Sequence, residues 1–293
     1  MLGIDVSVHN GAIDFKKVKS AGYNFVFIRD GYGDVLSYPS QIDSRYEENY
    51  KNAKAAGMHT GAYHYLYACT VEAARREAQG MLSLLKGKQF DMPVALDIEE
   101  RAQYNLNGMA KTMVIEAFMD VLEKAGYYAV LYSYEAFLKT VPKSTLDKYD
   151  IWCASIIKQP SIRYGIWQYS FKGKVDGIRG DVDLDRTDKD YPKLMKDGGF
   201  NGYKKPSQPA EKPILDTAGF KNGNKSLGVL ALKQLLSLAR DKGMTAVKFD
   251  PSHDGFFAGT EKAVNDILTK WGYKPNGIAG ENFIKKLANS LKK

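Results

Sequence analysis

The stretch Val94-Ala95-Leu96-Asp97-Ile98-Glu99-Glu100 decides how this chain is read. It is an apolar strand, expected over 93–99, interrupted by acids at alternate positions. Residues i and i+2 of a strand share a face, so Asp97 and Glu99 project together while Leu96 and Ile98 turn the other way. Acidic residues are poor strand formers and costly near an apolar interior unless they have a partner or a task. Asp5, near the end of the strand expected over 2–8, occupies a matching position. So do Asp183 and Asp185 on the strand expected around 181–184. Carboxylates converging on one cleft raise the pKa of at least one of them, and such a group can serve as a general acid near neutral pH. Glycosidic bond cleavage uses this arrangement. The same oxygen cluster also suits Mg²⁺ or Ca²⁺. On the residues alone both readings stand.

Working outward, short apolar runs alternate with amphipathic stretches. Strands are expected at 2–8, 23–29, 57–67, 93–99 and 128–132, and helices at 71–85 and 110–125. Ser44 with Glu47 reads as a capping box opening a helix through Ala56. Beyond 140 the helices thin out, leaving strands at 151–154, 165–169 and 181–184. Such alternation implies parallel strands under covering helices. About eight strands in under 200 residues fit a closed β/α barrel lacking some helices, since a full eightfold barrel needs about 250 residues. A doubly wound sheet is disfavoured because Ser7-Val8-His9-Asn10-Gly11 is no dinucleotide loop.

The stretch 198–217, with Pro206, Pro209 and Pro213, reads as a linker. A helical period returns with Leu230, Leu232, Leu235, Leu236 and Leu238, and further helices are expected at 260–270 and 281–291. Each of these two follows a Gly-rich turn, at 255–259 and 276–280, a weak internal echo. Of the net charge of +8, all lies in the last third: from Asn201 on there are 16 Lys and Arg against 8 Asp and Glu, while residues 1–200 carry 26 of each. That excess can steer this region toward a polyanion, or simply solvate it.

Cys69 and Cys153 form no disulfide framework and read as reduced packing residues. No leader with a basic and then an apolar region precedes Met1-Leu2-Gly3-Ile4-Asp5, and no run of about 20 apolar residues could span a bilayer. The expectation is a chain made in the cytoplasm without a signal peptide, with no membrane insertion. No recognised motif supports nucleic-acid binding. Aromatic residues reach 12%, with 19 Tyr, whose apolar faces and polar tips suit sugars. Tyr63, Tyr65, Tyr132, Trp152, Trp167 and Tyr169 recur at strand ends as candidate substrate contacts, and Arg29 can hold a carboxylate in place. His9 and His64 lack any zinc-like spacing, so no metal or cofactor is expected.

Five blocks and an ending, in order over about 190 residues, resemble the family 25 glycoside hydrolases, muramidases common in phage endolysins. They are Gly3-Ile4-Asp5-Val6-Ser7, Phe27 through Gly33, Gly61-Ala62-Tyr63-His64-Tyr65, Leu96-Asp97-Ile98-Glu99, Trp167-Gln168-Tyr169 and Gly180 through Asp185. The resemblance implies an irregular TIM-like β/α barrel, about five β/α units followed by three strands. It implies hydrolysis of the β-1,4 bond between N-acetylmuramic acid and N-acetylglucosamine in peptidoglycan. Glu99 would be the general acid and Asp97 would position the substrate's acetamido group. Asp5 and Asp183 would support them. Strand alternation sends Glu100 to the opposite face, which favours Glu99 as the acid.

The tail resembles a three-helix peptidoglycan-binding domain through Asp254-Gly255-Phe256-Phe257 and Thr260-Glu261-Lys262-Ala263-Val264, although Ala258 stands where the motif has Gly. The organisation expected is therefore a barrel over 1–195, a linker over 196–225 and a small all-helical wall-binding domain over 226–293, whose basic excess could also reach anionic wall polymers. A leaderless muramidase with such a tail points to a phage or prophage endolysin acting on the wall after release. The rival readings are a non-catalytic glycan-binding protein and a hydrolase of another N-acetylhexosamine polymer such as chitin.

Overall fold

In the computed structural model, which describes residues 1–205 and 212–292, the apolar runs of the first 190 residues become eight strands. They are β1 (Leu2–Val6), β2 (Tyr23–Tyr32), β3 (His59–Tyr65), β4 (Val94–Asp97), β5 (Ala129–Tyr134), β6 (Asp150–Ala154), β7 (Ile166–Gly173) and β8 (Val182–Arg186). They close into one barrel in chain order. Each strand from β1 to β6 pairs in parallel with the next, but β8 is antiparallel to both β7 and β1. An all-parallel set, expected from strand-helix alternation, gives way here for a physical reason. A parallel return needs a long crossover, and only the short segment 174–181 joins β7 to β8.

Helices follow the first five strands: α1 (Phe15–Ser20), α2 (Tyr46–Ala55), α3 (Val71–Leu85), α4 (Arg101–Tyr104) with α5 (Gly108–Lys124), and α6 (Glu135–Leu138) with α7 (Lys143–Leu146). Among the described residues none lies between β6 and β8; α8 (Tyr191–Gly198) comes after the barrel. Thr70 and Asn107 cap α3 and α5, their side chains accepting from Ala73 and Ala110 N–H; such a cap is worth about 1 kcal/mol. The capping box expected at Ser44 is not formed. Arg45 holds the cap position of α2, and Asp43 Oδ1 accepts from Arg45 N–H at 3.0 Å.

Strand residues are apolar on both faces, as burial on both sides of a barrel wall requires. Outward-facing Val26, Ile28, Leu96, Ile98 and Leu131 pack under Ala78 and Met81 of α3 and Ile115 and Phe118 of α5. Inward-facing Phe25, Phe27, Ala95, Val130, Trp152 and Ile166 fill the interior, and Tyr191 and Met195 of α8 join them. Tyr191 OH donates to Asp150 Oδ2 at 2.6 Å, and Lys189 Nζ reaches both Asp150 oxygens at 2.8 and 2.7 Å. This closes the end of the barrel where the parallel strands begin.

The chain divides into two compact units, Met1–Pro206 and Ser207–Lys293. The stretch expected as a linker, 196–225, has described residues in both units. Asn201 is fully buried with φ 53°; its side chain accepts from Tyr128 N–H at 2.7 Å and donates to Met92 O at 2.8 Å. Asparagine tolerates that left-handed backbone because its short polar side chain finds local partners. Residues 206–211 lie outside the described residues. The second unit holds α9 (Leu227–Asp241), α10 (Ala258–Lys270) and α11 (Glu281–Leu291) around Leu232, Leu236, Phe256, Val264, Ile267 and Phe283. Asp216 caps α11, accepting from Phe283 N–H at 2.8 Å. Phe220 pairs with Ala279 and Lys225 with Gly255 in isolated antiparallel bridges. Among the described residues no helix is long and apolar enough to cross a membrane.

Candidate active site

At the rim where the parallel strands end, the inward positions change from apolar to acidic and aromatic. They line a cleft of about 350 Å³ that contains Asp5, Arg29, Asp97, Glu99, Gln168 and Asp183, walled by Tyr63, Tyr65, Tyr132, Tyr134, Trp152 and Phe171. Asp97 follows Ala95 on the inner face of β4, level with Tyr65 on β3 and Tyr132 on β5. Glu99 lies two residues beyond the last residue of β4 rather than on it, yet still faces the cleft. Asp183 also stands differently from its expected strand-end position. It is the second residue of β8, and reaches this rim because β8 runs against its neighbours, setting it opposite Asp5.

The acids are held by a chain of hydrogen bonds. Tyr132 OH donates to Gln168 Oε1 at 2.7 Å, and Gln168 Nε2 donates to Asp5 Oδ2 at 2.7 Å. Trp152 Nε1 donates to Asp185 Oδ1 at 2.7 Å. Asp5 lies close enough to Asp185 for their charges to repel. Arg29, inside β2 rather than at its end, donates through Nε to Asp43 Oδ2 at 3.0 Å. Asp97 Oδ1 and Glu99 Oε2 are buried and, among the described residues, have no hydrogen-bond partner.

Burial is the leading cause of every shift in this cluster. It raises Glu99 to about 7, with help from the Asp183 and Glu100 charges, Asp183 to about 6 and Asp185 to about 8. Asp5 and Asp97 are also pushed well up, first by burial and then by neighbouring carboxylates, Asp185 for Asp5 and Glu99 for Asp97; Arg29 pulls Asp97 partly back. The cluster thus retains protons near neutrality. Protonated and ionised carboxyl groups stand in one cleft, the condition for general acid chemistry.

Several expected positions differ. Trp167 and Tyr169 do not line the cleft: the two-residue period of β7 turns Gln168 inward, leaving Trp167 outside beside Tyr169 and under the Arg186 guanidinium at 5.8 Å. Trp152 forms buried floor, stacked on Phe27 at 4.3 Å between ring centres. Glu100 is not thrown to the far face, because the strand period stops at Asp97. It accepts from Tyr65 OH at 3.0 Å, caps α4 together with Gln103, and lines an adjoining cavity. Gln168, Asp43, Tyr134 and Phe171 were not among the expected site residues, whereas Asp185 was expected beside Asp183. Among the described residues no three His, Cys, Asp or Glu side chains gather as a metal-binding group. Both cysteines are free.

With this geometry in view, residues 4–178 match the model of glycosyl hydrolases family 25. Asp5, Arg29, Asp97, Glu99 and Gln168 fall inside the match; Asp183 and Asp185 lie beyond it. The autolytic lysozyme of Clostridium acetobutylicum is 33% identical over 188 residues, 63% of this chain and 55% of that protein, so the match spans about half the length of that relative. The bacterial lysozyme from Streptomyces coelicolor is 29% identical with a TM-score of 0.55, over 64% of this chain and 92% of that one. The CTP1L endolysin covers 99% of this chain and 98% of its own at a TM-score of 0.59. At 23% identity, its likeness speaks to fold alone.

Proposed function

This chain belongs to glycosyl hydrolases family 25, and we propose that it is a muramidase hydrolysing the β-1,4 bond between N-acetylmuramic acid and N-acetylglucosamine in bacterial peptidoglycan. One observation carries the reading. Asp97 and Glu99 share a cleft at the strand-end rim, each with a buried oxygen free for a ligand, and Glu99 keeps its proton up to about pH 7. Glu99 gives that proton to the leaving glycosidic oxygen. Asp97, as the anion, accepts the N–H of the substrate's acetamido group and aligns its carbonyl oxygen to attack the anomeric carbon from the opposite side. Water then opens the resulting ring, returning a proton to Glu99. Asp5 and Asp183 support the positive charge that develops, and protons retained by buried Asp5 and Asp185 limit repulsion within the cluster. Tyr63, Tyr65, Tyr132 and Tyr134 offer ring faces and hydroxyls to the sugars.

The second unit would hold the enzyme on its wall substrate. Its own helical core and its positive excess support that role, and the name of the autolytic lysozyme relative supports an autolysin setting. Incubation with purified peptidoglycan and analysis of the new reducing ends tests the proposal. New N-acetylmuramic acid ends support it. N-acetylglucosamine ends, binding without cleavage, or cleavage of chitin in preference would each replace it.

A further inference from the structure

His253 is the only histidine beyond residue 200, and it sits inside the turn 250–257 that leads into α10. Its Nδ1 accepts two hydrogen bonds, from Gly255 N–H at 3.1 Å and from Lys233 Nζ at 3.2 Å. An amide N–H and an ammonium can only donate, so Nδ1 is bare and the neutral ring carries its proton on Nε2. We propose that His253 is a pH-sensitive latch: bare at Nδ1 it keeps this turn closed, and protonated there it opens the turn and weakens the second unit's hold on the bacterial wall. The effect on the wall rests on the wall-binding reading above; the opening of the turn does not.

The groups around the ring set the two states against each other. Lys233 of α9 is buried, and its ammonium is held by the turn itself, through His253 Nδ1, the His253 carbonyl at 2.8 Å and the Gly255 carbonyl at 3.3 Å. A buried ammonium is costly without such partners, so Lys233 depends on the closed turn as much as the turn depends on it. On the other side, Asp250 Oδ2 lies 3.5 Å from Nε2 and favours a charged ring. Asp254 is the next residue along the chain, and Lys225, bridged to Gly255, has its Nζ 5.9 Å from the Phe257 ring centre. The His253 side chain is 42% exposed, so solvent protons reach it. A proton on Nδ1 points at the Gly255 N–H and sets an imidazolium against the Lys233 ammonium. Turning the ring toward Asp250 relieves that repulsion and breaks both hydrogen bonds.

The turn is tied into the rest of the unit. Ser226 N–H donates to Asp254 O at 3.1 Å, Phe256 N–H to Asn224 O at 2.8 Å and Gly223 N–H to Phe256 O at 2.9 Å. Ser226 caps α9, and Phe256 is fully buried in the core. Opening at His253 therefore reaches the start of α9 and Asp254-Gly255-Phe256-Phe257, the segment that carries the wall-binding resemblance.

The test uses the full chain carrying Glu99→Gln, so that walls stay intact, with and without His253→Asn. Asparagine accepts from the N–H two residues on, as His253 does here, but does not titrate. Hydrogen exchange in 250–257, corrected for the intrinsic rate, and co-sedimentation with purified walls are measured at about pH 8 and about pH 5, the range over which histidine titrates. On acidification the chain with His253 is expected to lose about tenfold in protection of the turn and about tenfold in wall affinity, the worth of about one hydrogen bond. The chain with His253→Asn should lose little of either. Exchange in the turn that ignores pH, or that rises equally in both chains, would overturn the latch. An acid-opened turn in a chain that binds walls equally well at both pH values would overturn its role in binding. An acid-opened turn in a chain that never sediments with walls would overturn the wall-binding reading and leave the latch.

Discussion

Gln168 Nε2 donates to Asp5 Oδ2, joining β7 to β1 across the cleft at 2.7 Å. Because the amide oxygen accepts from Tyr132 OH, the amide cannot flip without breaking both bonds. Asp5 Oδ2 is thereby held as an acceptor. Gln168→Leu should strand two buried polar groups at roughly 1–3 kcal/mol each, lowering the melting temperature by about 4 °C or more and reducing the rate. A variant that melts and turns over like the parent would show the amide to be dispensable.

Glu99→Gln keeps the shape of the side chain but removes the proton donor. The expected loss is about 10²-fold or more in kcat, with substrate binding largely kept. A folded variant retaining over about a tenth of the parent rate, against that 10²-fold minimum, would shift the acid role to Glu100 or Asp183. Stability supplies an independent check. The folded chain holds the Glu99 proton up to about pH 7, above the unfolded value of 4.5. Its contribution therefore favours the fold at low pH and is lost as pH rises from about 4.5 to 7. The variant lacks this loss, so its melting temperature should gain on the parent across that window, and thermal melts at pH 4, 6 and 8 would reveal it.

Activity of the parent should fall on the alkaline side as the cluster gives up its proton, with a limb near pH 7. Coupling among the acids makes that limb a property of the group. Asp97→Asn should lower the rate, because a neutral amide gives weaker support to the acetamido N–H and to the developing charge. A pH–rate profile that keeps rising past pH 9, or an unimpaired Asp97→Asn, would contradict the assigned roles.

The mechanism calls for no divalent ion, so EDTA should leave hydrolysis of purified peptidoglycan unchanged. Loss of rate restored by added Mg²⁺ or Ca²⁺ would reassign the carboxylates to ion binding.

Residues 212–292 enclose their own core around Phe256 and Phe283, and this fragment should fold alone and co-sediment with bacterial walls. Rising salt should weaken that association, since exposed charge is screened. Sedimentation unaffected by salt would leave the basic excess as solvation, and no sedimentation would remove the wall-binding role.

How much of this was legible in the sequence depended on range. Asp97 and Glu99 announced themselves because acids inside an apolar strand need a reason, and that reason is local. Gln168 gave no such signal. It sits between two aromatics, and its task appears only when β7 and β1, 163 residues apart, are brought face to face. Asp183 was legible by type but not by position, since the reversal of β8 is a property of the closed sheet. The stretch around Asn201 read as linker because Gly and Pro composition is a local cue, whereas its anchorage to Tyr128 and Met92 is tertiary. Trp167 and Tyr169 were drawn into the site by their residue type, although the strand period already turned them outward.

The pairing of β1 with β8, Leu2 against Arg186 and Asp5 against Asp183, has a consequence for how the chain is made. At about 5–20 residues per second, a ribosome completes β8 roughly 10–40 seconds after β1. Until then β1 has β2 along one edge and an unpaired edge on the other, the arrangement that recruits foreign strands. Ring closure thus waits on the most distant strand pairing of the barrel, and is slow for that reason. A chain interrupted before residue 182 would be not merely inactive but sticky, with two open sheet edges where the finished barrel has none.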